Sequence, residues 1–316
     1  LNETNTNLEK EAFDVIFNNK DSKKVNLDAS KGLIKGSAVN FYGPNVTTED
    51  VDFYYSEIKK VPNPKKPISL GLNSKLVKEK GKLVEKVWKL NGMYSEEIEN
   101  IIFWLSKASE FSENEKQKKG LDLLIKYYET GDLNIWDEYN VAWVETIEGD
   151  VDYINGFIEV YNDPKGYRGS YESVVQIKDF AMSKKMDAVS NSAQWFEDNS
   201  PIFKEHKKEN VKGISYNTVN VAGEAGDASP STPIGINLPN ANWIRVEHGS
   251  KSISLGNILY AYGNAGSSGR LNEFAFSEKE IELEKKYGED AGSLHTALHE
   301  VIGHASGKIN DGIGTT

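Results

Sequence analysis

The sequence predicts an α+β fold in which helices dominate. Over much of the first 145 residues, apolar side chains recur at the three- and four-residue spacing of helices. Later come short runs rich in β-branched and aromatic residues, which are typical of strands. A chain of 316 residues can form one or two domains and bury a real core. Its 38% apolar and 27% charged residues are ordinary for a globular protein.

The helical part begins after about 45 irregular residues. A helix is predicted from Thr48 to Lys59, and the prolines of segment 62–64 then force an extended link. Ser95 can cap the next helix, and a capping-box pattern from Ser112 to Glu115 begins another, which Gly131 ends. The last helix of this half carries aromatic residues that we interpret as core: Trp136, Tyr139 and Trp143.

The pattern changes to strands at Val151. The run from Val151 to Tyr161 favours a strand, the 163–166 sequence Asp-Pro-Lys-Gly signals a turn, and a second strand is predicted from Tyr171 to Ile177. Residues two apart on a strand project from one face, so Glu159 and Tyr161 are predicted to face the same space.

Helices and strands are both predicted in the remaining part of the chain, after residue 179. The sequence favours a helix from Phe180 to Glu197 and a strand from Val211 to Ala222. A proline-rich loop is predicted from Ser229 to Asn242. Two helices are predicted after it, from Ser252 to Ala265 and from Ser277 to Tyr287, and the second is heavily charged.

Charge and composition exclude several classes of protein. A net charge of −11 argues against nucleic acid or an anionic membrane surface as a partner. No cysteine is present, which excludes disulfides, thiolate zinc ligands and a cysteine nucleophile. No apolar run reaches the roughly 18 residues that a membrane span needs. Because the chain begins at Leu1, we expect that a start codon, and with it any targeting segment, was lost. We expect a cytoplasmic location and leave a periplasmic one open.

One stretch near the end of the sequence indicates metal chemistry. Three of the five histidines lie between 295 and 308, and Glu300 follows His299 directly. In an H-E-x-x-H helix two imidazoles hold zinc and the glutamate acts on the bound water. Here His304 comes one residue late, so in a regular α-helix the two side chains would diverge by roughly 140°. A single π-turn would restore a common face, and Gly303 accepts such strain readily.

Two other interpretations of this stretch are open. His295 and His299 have the ideal i, i+4 spacing, but no glutamate follows His295. The histidines could also be ordinary polar positions of an amphipathic helix whose buried stripe is apolar. That stripe would consist of Leu294, Leu298, Val301 and Ile302.

The motif at 299–308 is His-Glu-x-x-Gly-His followed by x-Ser-Gly-Lys, and it closely resembles the zinc motif of the dipeptidyl peptidase III family. Three upstream blocks resemble the family in the same order and at about the same intervals. They are Gly156 to Pro164, Arg168-Gly169, and Pro233 to Asn240. From about residue 65 onward the chain looks like a bacterial member.

The resemblance implies a role for each matching site residue. His299 and His304 would bind one Zn²⁺ ion per chain, and Glu300 would activate the zinc-bound water. Tyr161 would stabilise the scissile carbonyl. The remaining matches would bind substrate: Glu159 and Glu172 the free amino end, Asn237 and Asn240 the backbone.

The resemblance also implies two lobes around a wide cleft, one of them containing a small β-barrel. The barrel lobe would comprise 1–178 and 220–265, and the helical zinc lobe 179–219 and 266–316. The family's third zinc ligand is a glutamate on a following helix, and we expect it beyond residue 316, since Asp311 in the glycine-rich segment 310–314 is the one acidic residue after His304. Glu289 and Asp290 would have to fold back to replace it. Ala305 stands where the family usually has glycine.

The predicted function is therefore a zinc exopeptidase that releases dipeptides from the free amino end of short peptides. A zinc endopeptidase on the same motif would instead accept blocked amino ends. A non-catalytic peptide-binding relative would keep the cleft without a complete metal site.

Overall fold

A computed structural model describes residues 6–18, 20, 22, 24–58, 65–211, 214–229, 232–265, 267–304 and 306–308. Some sequence predictions fall outside these residues. They are the helix end at Lys59, the link at 62–64, Ala305, and the loop at 310–314 with Asp311.

Helices make up 48% of the structure, so the prediction of a mainly helical mixed fold is confirmed. The α-helices of the described residues are α1 (Thr6–Phe17), α2 (Thr48–Ile58), α3 (Ser95–Glu110), α4 (Glu115–Thr130), α5 (Leu133–Glu145), α6 (Phe180–Asn191), α7 (Ala193–Asn199), α8 (Asn242–Glu247), α9 (Gly256–Asn264), α10 (Ser267–Phe274) and α11 (Glu278–Leu298). The strands are β1 (Ser74–Glu79), β2 (Lys82–Val87), β3 (Val151–Phe157), β4 (Tyr171–Lys178), β5 (Ile214–Gly226), β6 (Gly235–Leu238) and β7 (Ser250–Leu255). None of the described helices is long and apolar enough to cross a membrane.

The strands form a hairpin of β1 and β2 and an open five-stranded sheet in the order β3-β4-β5-β7-β6. Among the strands of the described residues, β5 and β7 pair in parallel and the other pairs are antiparallel. Contrary to the implied barrel, the described residues close no barrel. Strand β3 lies at one edge of the sheet, and two of its backbone carbonyls accept hydrogen bonds from helix side chains. Gln117 Nε2 of α4 donates to Val151 O, and Trp143 Nε1 of α5 donates to Tyr153 O.

Helices α3, α4 and α5 pack against this sheet through an aromatic core. Trp136 and Tyr127 are buried, and a Cβ added to Gly156 of β3 would lie 2.5 Å from the Trp136 ring. The cap of α4 differs from the predicted one, because Asn114 Oδ1 accepts from Gln117 N. Helix α3 begins at Ser95 after a left-handed Tyr94 that supplies no side-chain cap. Gly131, at φ +70°, ends α4 as predicted.

Several predicted boundaries after residue 178 are wrong because strand pairing decides them. The predicted 229–242 loop contains β6, and the predicted helix at 252–265 begins as β7, which is buried along its whole length. A strand buried on both faces lacks the alternation that marks half-buried strands. The predicted helix at 180–197 is two helices joined at Ser192.

One of two smaller cores in the described residues surrounds the end of α11. Its buried members come from α6, α7, β5 and the α11 segment: Met186, Val189, Ala193, Tyr216, Ala297 and Val301. The histidine motif is therefore held between helices α6 and α7 and strands β5, β7 and β6 of the five-stranded sheet.

Candidate metal centre

The histidine motif forms the end of α11 and continues it as a π-helical turn at His299–Gly303. This turn confirms the prediction that one extra residue is taken up there. Val301 is buried in the core beside Ala297, so the turn is packed and not frayed. The backbone thus returns His304 to the side of the helix on which His299 lies.

The π-turn brings three potential ligands together. Ligand atoms of His299, Glu300 and His304 all lie within 4.8 Å of one another. The two imidazole centroids are 5.2 Å apart, and the rings are inclined at 80°. Among the described residues no other group of three or more such side chains has this geometry, so neither His295 nor the Glu289-Asp290 pair joins one.

Glu300 is held in place on two sides. Its backbone carbonyl accepts a hydrogen bond of 2.9 Å from Ser252 Oγ in β7. Its side chain lies against Gly235 of β6, where an added Cβ would come within 2.4 Å of Glu300 Oε1. Glu300 is 7% exposed, and its Oε2 atom is buried without a hydrogen bond, 3.8 Å from His304 Nε2. Glu300 is thus a fixed carboxylate beside the His304 imidazole.

Burial and neighbouring charges oppose each other in setting the pKa of Glu300 and act together on the pKa of His304. Burial raises the pKa of Glu300, while the nearby His299 and Arg245 oppose that rise. Burial lowers the pKa of His304, and Arg245 and His299 lower it further. His304 is therefore favoured in its neutral form, which is the form that binds metals.

Glu159 and Tyr161 do not share a strand face as predicted, because β3 ends at Phe157. Pairing continues only to Glu159, whose carbonyl accepts from Ser170 N at 2.8 Å. The chain then turns toward Asp163, whose backbone N–H donates to Val160 O. Tyr161 lies in this turn and is 80% exposed.

The structure nevertheless brings most of the predicted substrate residues near one another. Asn240 Nδ2 donates to Glu159 Oε1 at 3.0 Å, and Asn237 Nδ2 donates to Ser252 Oγ at 2.6 Å. Burial, followed by the charges of Glu159 and Asp227, raises the pKa of Glu172 to about 7. These carboxylates form a locally negative surface.

Arg245 of α8 connects this surface with the metal centre, and the sequence did not single it out. Its Nη2 atom donates to Asn237 O at 3.0 Å, and its Nε atom donates to Pro239 O. Its charge also acts on Glu159, Glu300 and Tyr161. No motif or periodicity in the sequence identifies Arg245 as a site residue. Its position five residues after Asn240 is the one signal that could have done so.

Known proteins resemble the chain both in sequence and in structure. The family model described as "Peptidase family M49" matches residues 31–311. Dipeptidyl peptidase 3 of Nematostella vectensis is 30% identical over 218 residues, which cover 69% of this chain and 29% of that protein. The Homo sapiens protein of the same name is 28% identical over 218 residues, which again cover 69% of this chain and 29% of that protein.

Two solved structures have the same fold. The structure of DPP III from Caldithrix abyssi matches with a TM-score of 0.70 and 25% identity, covering 85% of this chain and 49% of that one. Dipeptidyl-peptidase III from Corallococcus sp. strain EGB matches with a TM-score of 0.71 and 23% identity, covering 86% and 49%. The chain spans about half the length of these solved relatives.

Proposed function

The chain belongs to peptidase family M49, and we propose that it forms part of a zinc exopeptidase of the dipeptidyl peptidase III type. The proposed reaction releases dipeptides from the free amino end of short peptides. The observation that carries the proposal is the π-turn, which places the imidazoles of His299 and His304 beside the Glu300 carboxylate.

The donor set suits zinc. Two imidazoles are typical zinc ligands, and the lowered pKa of His304 favours the neutral form that binds metals. We propose that the third ligand is a glutamate outside residues 1–316. When bound, the zinc ion would act as a Lewis acid toward the scissile carbonyl and the attacking water.

The protein's own groups would move the proton and stabilise charge. The Glu300 carboxylate would accept a proton from the attacking water and deliver it to the departing amine. The Tyr161 hydroxyl would donate to the carbonyl oxygen as negative charge develops on it. The exposure of Tyr161 leaves its hydroxyl accessible to a peptide.

The substrate's amino end would be held by Glu159 and Glu172. The raised pKa of Glu172 reflects a poorly hydrated carboxylate close to other negative charges, and a bound ammonium group would relieve that cost. Asn237 and Asn240 would bind the peptide backbone, and Arg245 would keep their segment in place. Because the amine pocket lies at a fixed distance from Glu300, cleavage would occur after the second residue.

We place this site in a cleft between a substrate lobe of residues 1–178 and 220–265 and a zinc lobe of 179–219 and 266–316. The separate core around the end of α11 supports the second unit.

The test uses the intact natural protein and a matched pair of peptides, one with a free and one with an acetylated amino end. Elemental analysis should find about one zinc ion per chain, and mass spectrometry should find dipeptides released from the free peptide alone. Equal cleavage of the acetylated peptide would establish an endopeptidase instead. Absence of both zinc and cleavage would leave a peptide-binding protein.

A further inference from the structure

A second cavity lies apart from the metal centre, among α4, α5, α8 and the segment before β1. Its volume is about 610 Å³. Helix α8 separates it from the metal centre, because Trp243 lines the cavity while Arg245, two residues later, bonds to the Asn237 and Pro239 carbonyls. The aliphatic part of its wall consists of Ile68, Leu123, Val141 and Ala142.

Two polar groups of this cavity lack partners. Asp137 of α5 is 8% exposed, and its carboxylate has no hydrogen bond or ion pair within the described ranges of the chain. The Trp243 Nε1 atom is buried and likewise has no acceptor. An unsatisfied buried donor such as Trp243 Nε1 costs about 1–3 kcal/mol and calls for an explanation. Burial raises the pKa of Asp137 to about 7, consistent with a carboxylate without a partner.

The neighbouring charges favour a cation in this cavity. Lys66 is already paired with Glu247, and its Nζ atom stands 4.6 Å from the centroid of the Trp243 ring. Lys119 and Glu138 are exposed residues of the lining, and their charges are opposite. The Asp137 carboxylate is thus the charge in the lining that remains to be neutralised.

We propose that this cavity binds the free amino end of a peptide or of an amino-acid amide. The ammonium group would donate to Asp137, and the adjoining carbonyl oxygen would accept from Trp243 Nε1. The aliphatic wall would contact the first side chain. A single amino end with its adjoining carbonyl would then form hydrogen bonds with both Asp137 and Trp243. The inference does not depend on peptidase activity, since no residue of the metal centre takes part.

The experiment uses leucinamide as the probe and N-acetylleucinamide as its matched control, which keeps the carbonyl and side chain but lacks the ammonium group. Calorimetry is carried out on the intact protein carrying Glu159→Gln, so that binding in the proposed amine pocket is weakened. Leucinamide should bind and the acetylated control should not. Asp137→Asn should weaken binding about tenfold or more, and Trp243→Phe should weaken it several-fold, while the aromatic wall is kept.

The indole N–H proton of Trp243 gives a second readout by NMR, identified by its absence in Trp243→Phe. Leucinamide should move this signal downfield, as expected when the N–H gains an acceptor. The proposal is overturned if leucinamide leaves the signal unmoved, if Asp137→Asn binds as tightly as the parent, or if N-acetylleucinamide binds equally well. A cavity filled by another segment of the natural protein would give the first of these results.

Discussion

Replacing Arg245 with lysine tests whether the guanidinium aligns the substrate residues with the metal centre. The planar group donates to two backbone carbonyls at once, those of Asn237 and Pro239. Lysine keeps the positive charge, but its ammonium group cannot donate to both carbonyls with the planar geometry of the guanidinium. The variant therefore separates the role of geometry from that of charge.

The expected loss follows from the contacts. A hydrogen bond that involves a charged group contributes about 1.5–3 kcal/mol, and lysine would lose at least one. If that energy holds Asn237 and Asn240 in place for the substrate, kcat/KM should fall about 10- to 100-fold. Arg245→Met should lose more, because the positive charge that acts on Glu159 and Glu300 is then missing as well.

The assay measures kcat and KM on a chromogenic dipeptide amide, with zinc content and thermal unfolding as controls. Zinc content should stay at the parent value in both variants, since Arg245 is not a proposed ligand. A lysine variant with the kcat/KM of the parent would refute the proposed alignment. If kcat/KM and zinc content fall together, the substitution acts on the metal site instead.

Five further substitutions test the remaining assignments. Glu300→Ala should keep zinc by elemental analysis and lose about 10²–10⁴-fold in hydrolysis, and an active variant would remove Glu300 from its role. Tyr161→Phe should lower kcat more than it raises KM, whereas Glu159→Gln should raise KM for peptides with a free amino end. If kcat and KM of both variants equal those of the parent, these residues do not line the substrate cleft. Because the pKa of Glu172 is about 7, its charge and hence amine binding should increase from pH 6 to 7.5, so KM should fall over this range and Glu172→Gln should flatten the profile. Glu197, fully buried, accepts from two backbone N–H groups, one of them in the turn after the metal helix, so Glu197→Ala should cost about 1–3 kcal/mol in urea unfolding; an unchanged midpoint would contradict this.

The parts of the site that the sequence predicted are those that local chain geometry decides. The π-turn follows from the five-residue spacing of His299 and His304, because the surplus residue has to be taken up between them. Gly131 likewise ends α4 because its left-handed φ favours glycine. Both features depend on a few consecutive residues, and the structure contains both.

The parts that the sequence missed depend on contacts between distant segments. Strand β6 lies in a predicted loop and becomes a strand because it pairs with β7. Strand β7 lies in a predicted helix and is fixed by its parallel pairing with β5. Glu197 is held by a backbone N–H 110 residues away in the sequence, and Arg245 by two carbonyls six and eight residues earlier, and neither set of partners follows a helix or strand periodicity.

The missed β6–β7 pair explains how the substrate residues and the metal helix keep a fixed relation. Asn237 of β6 donates to Ser252 Oγ of β7, and Ser252 Oγ in turn donates to the backbone carbonyl of Glu300. On the other side, Gly235 leaves room for the Glu300 carboxylate to lie directly on β6. Glu300, the proposed general base, is therefore attached to the strand that carries Asn237, a proposed backbone-binding residue, through two hydrogen bonds and a close contact. Because these contacts join two paired strands to the turn that carries Glu300, a substrate held at its amino end would meet Glu300 at one particular peptide bond.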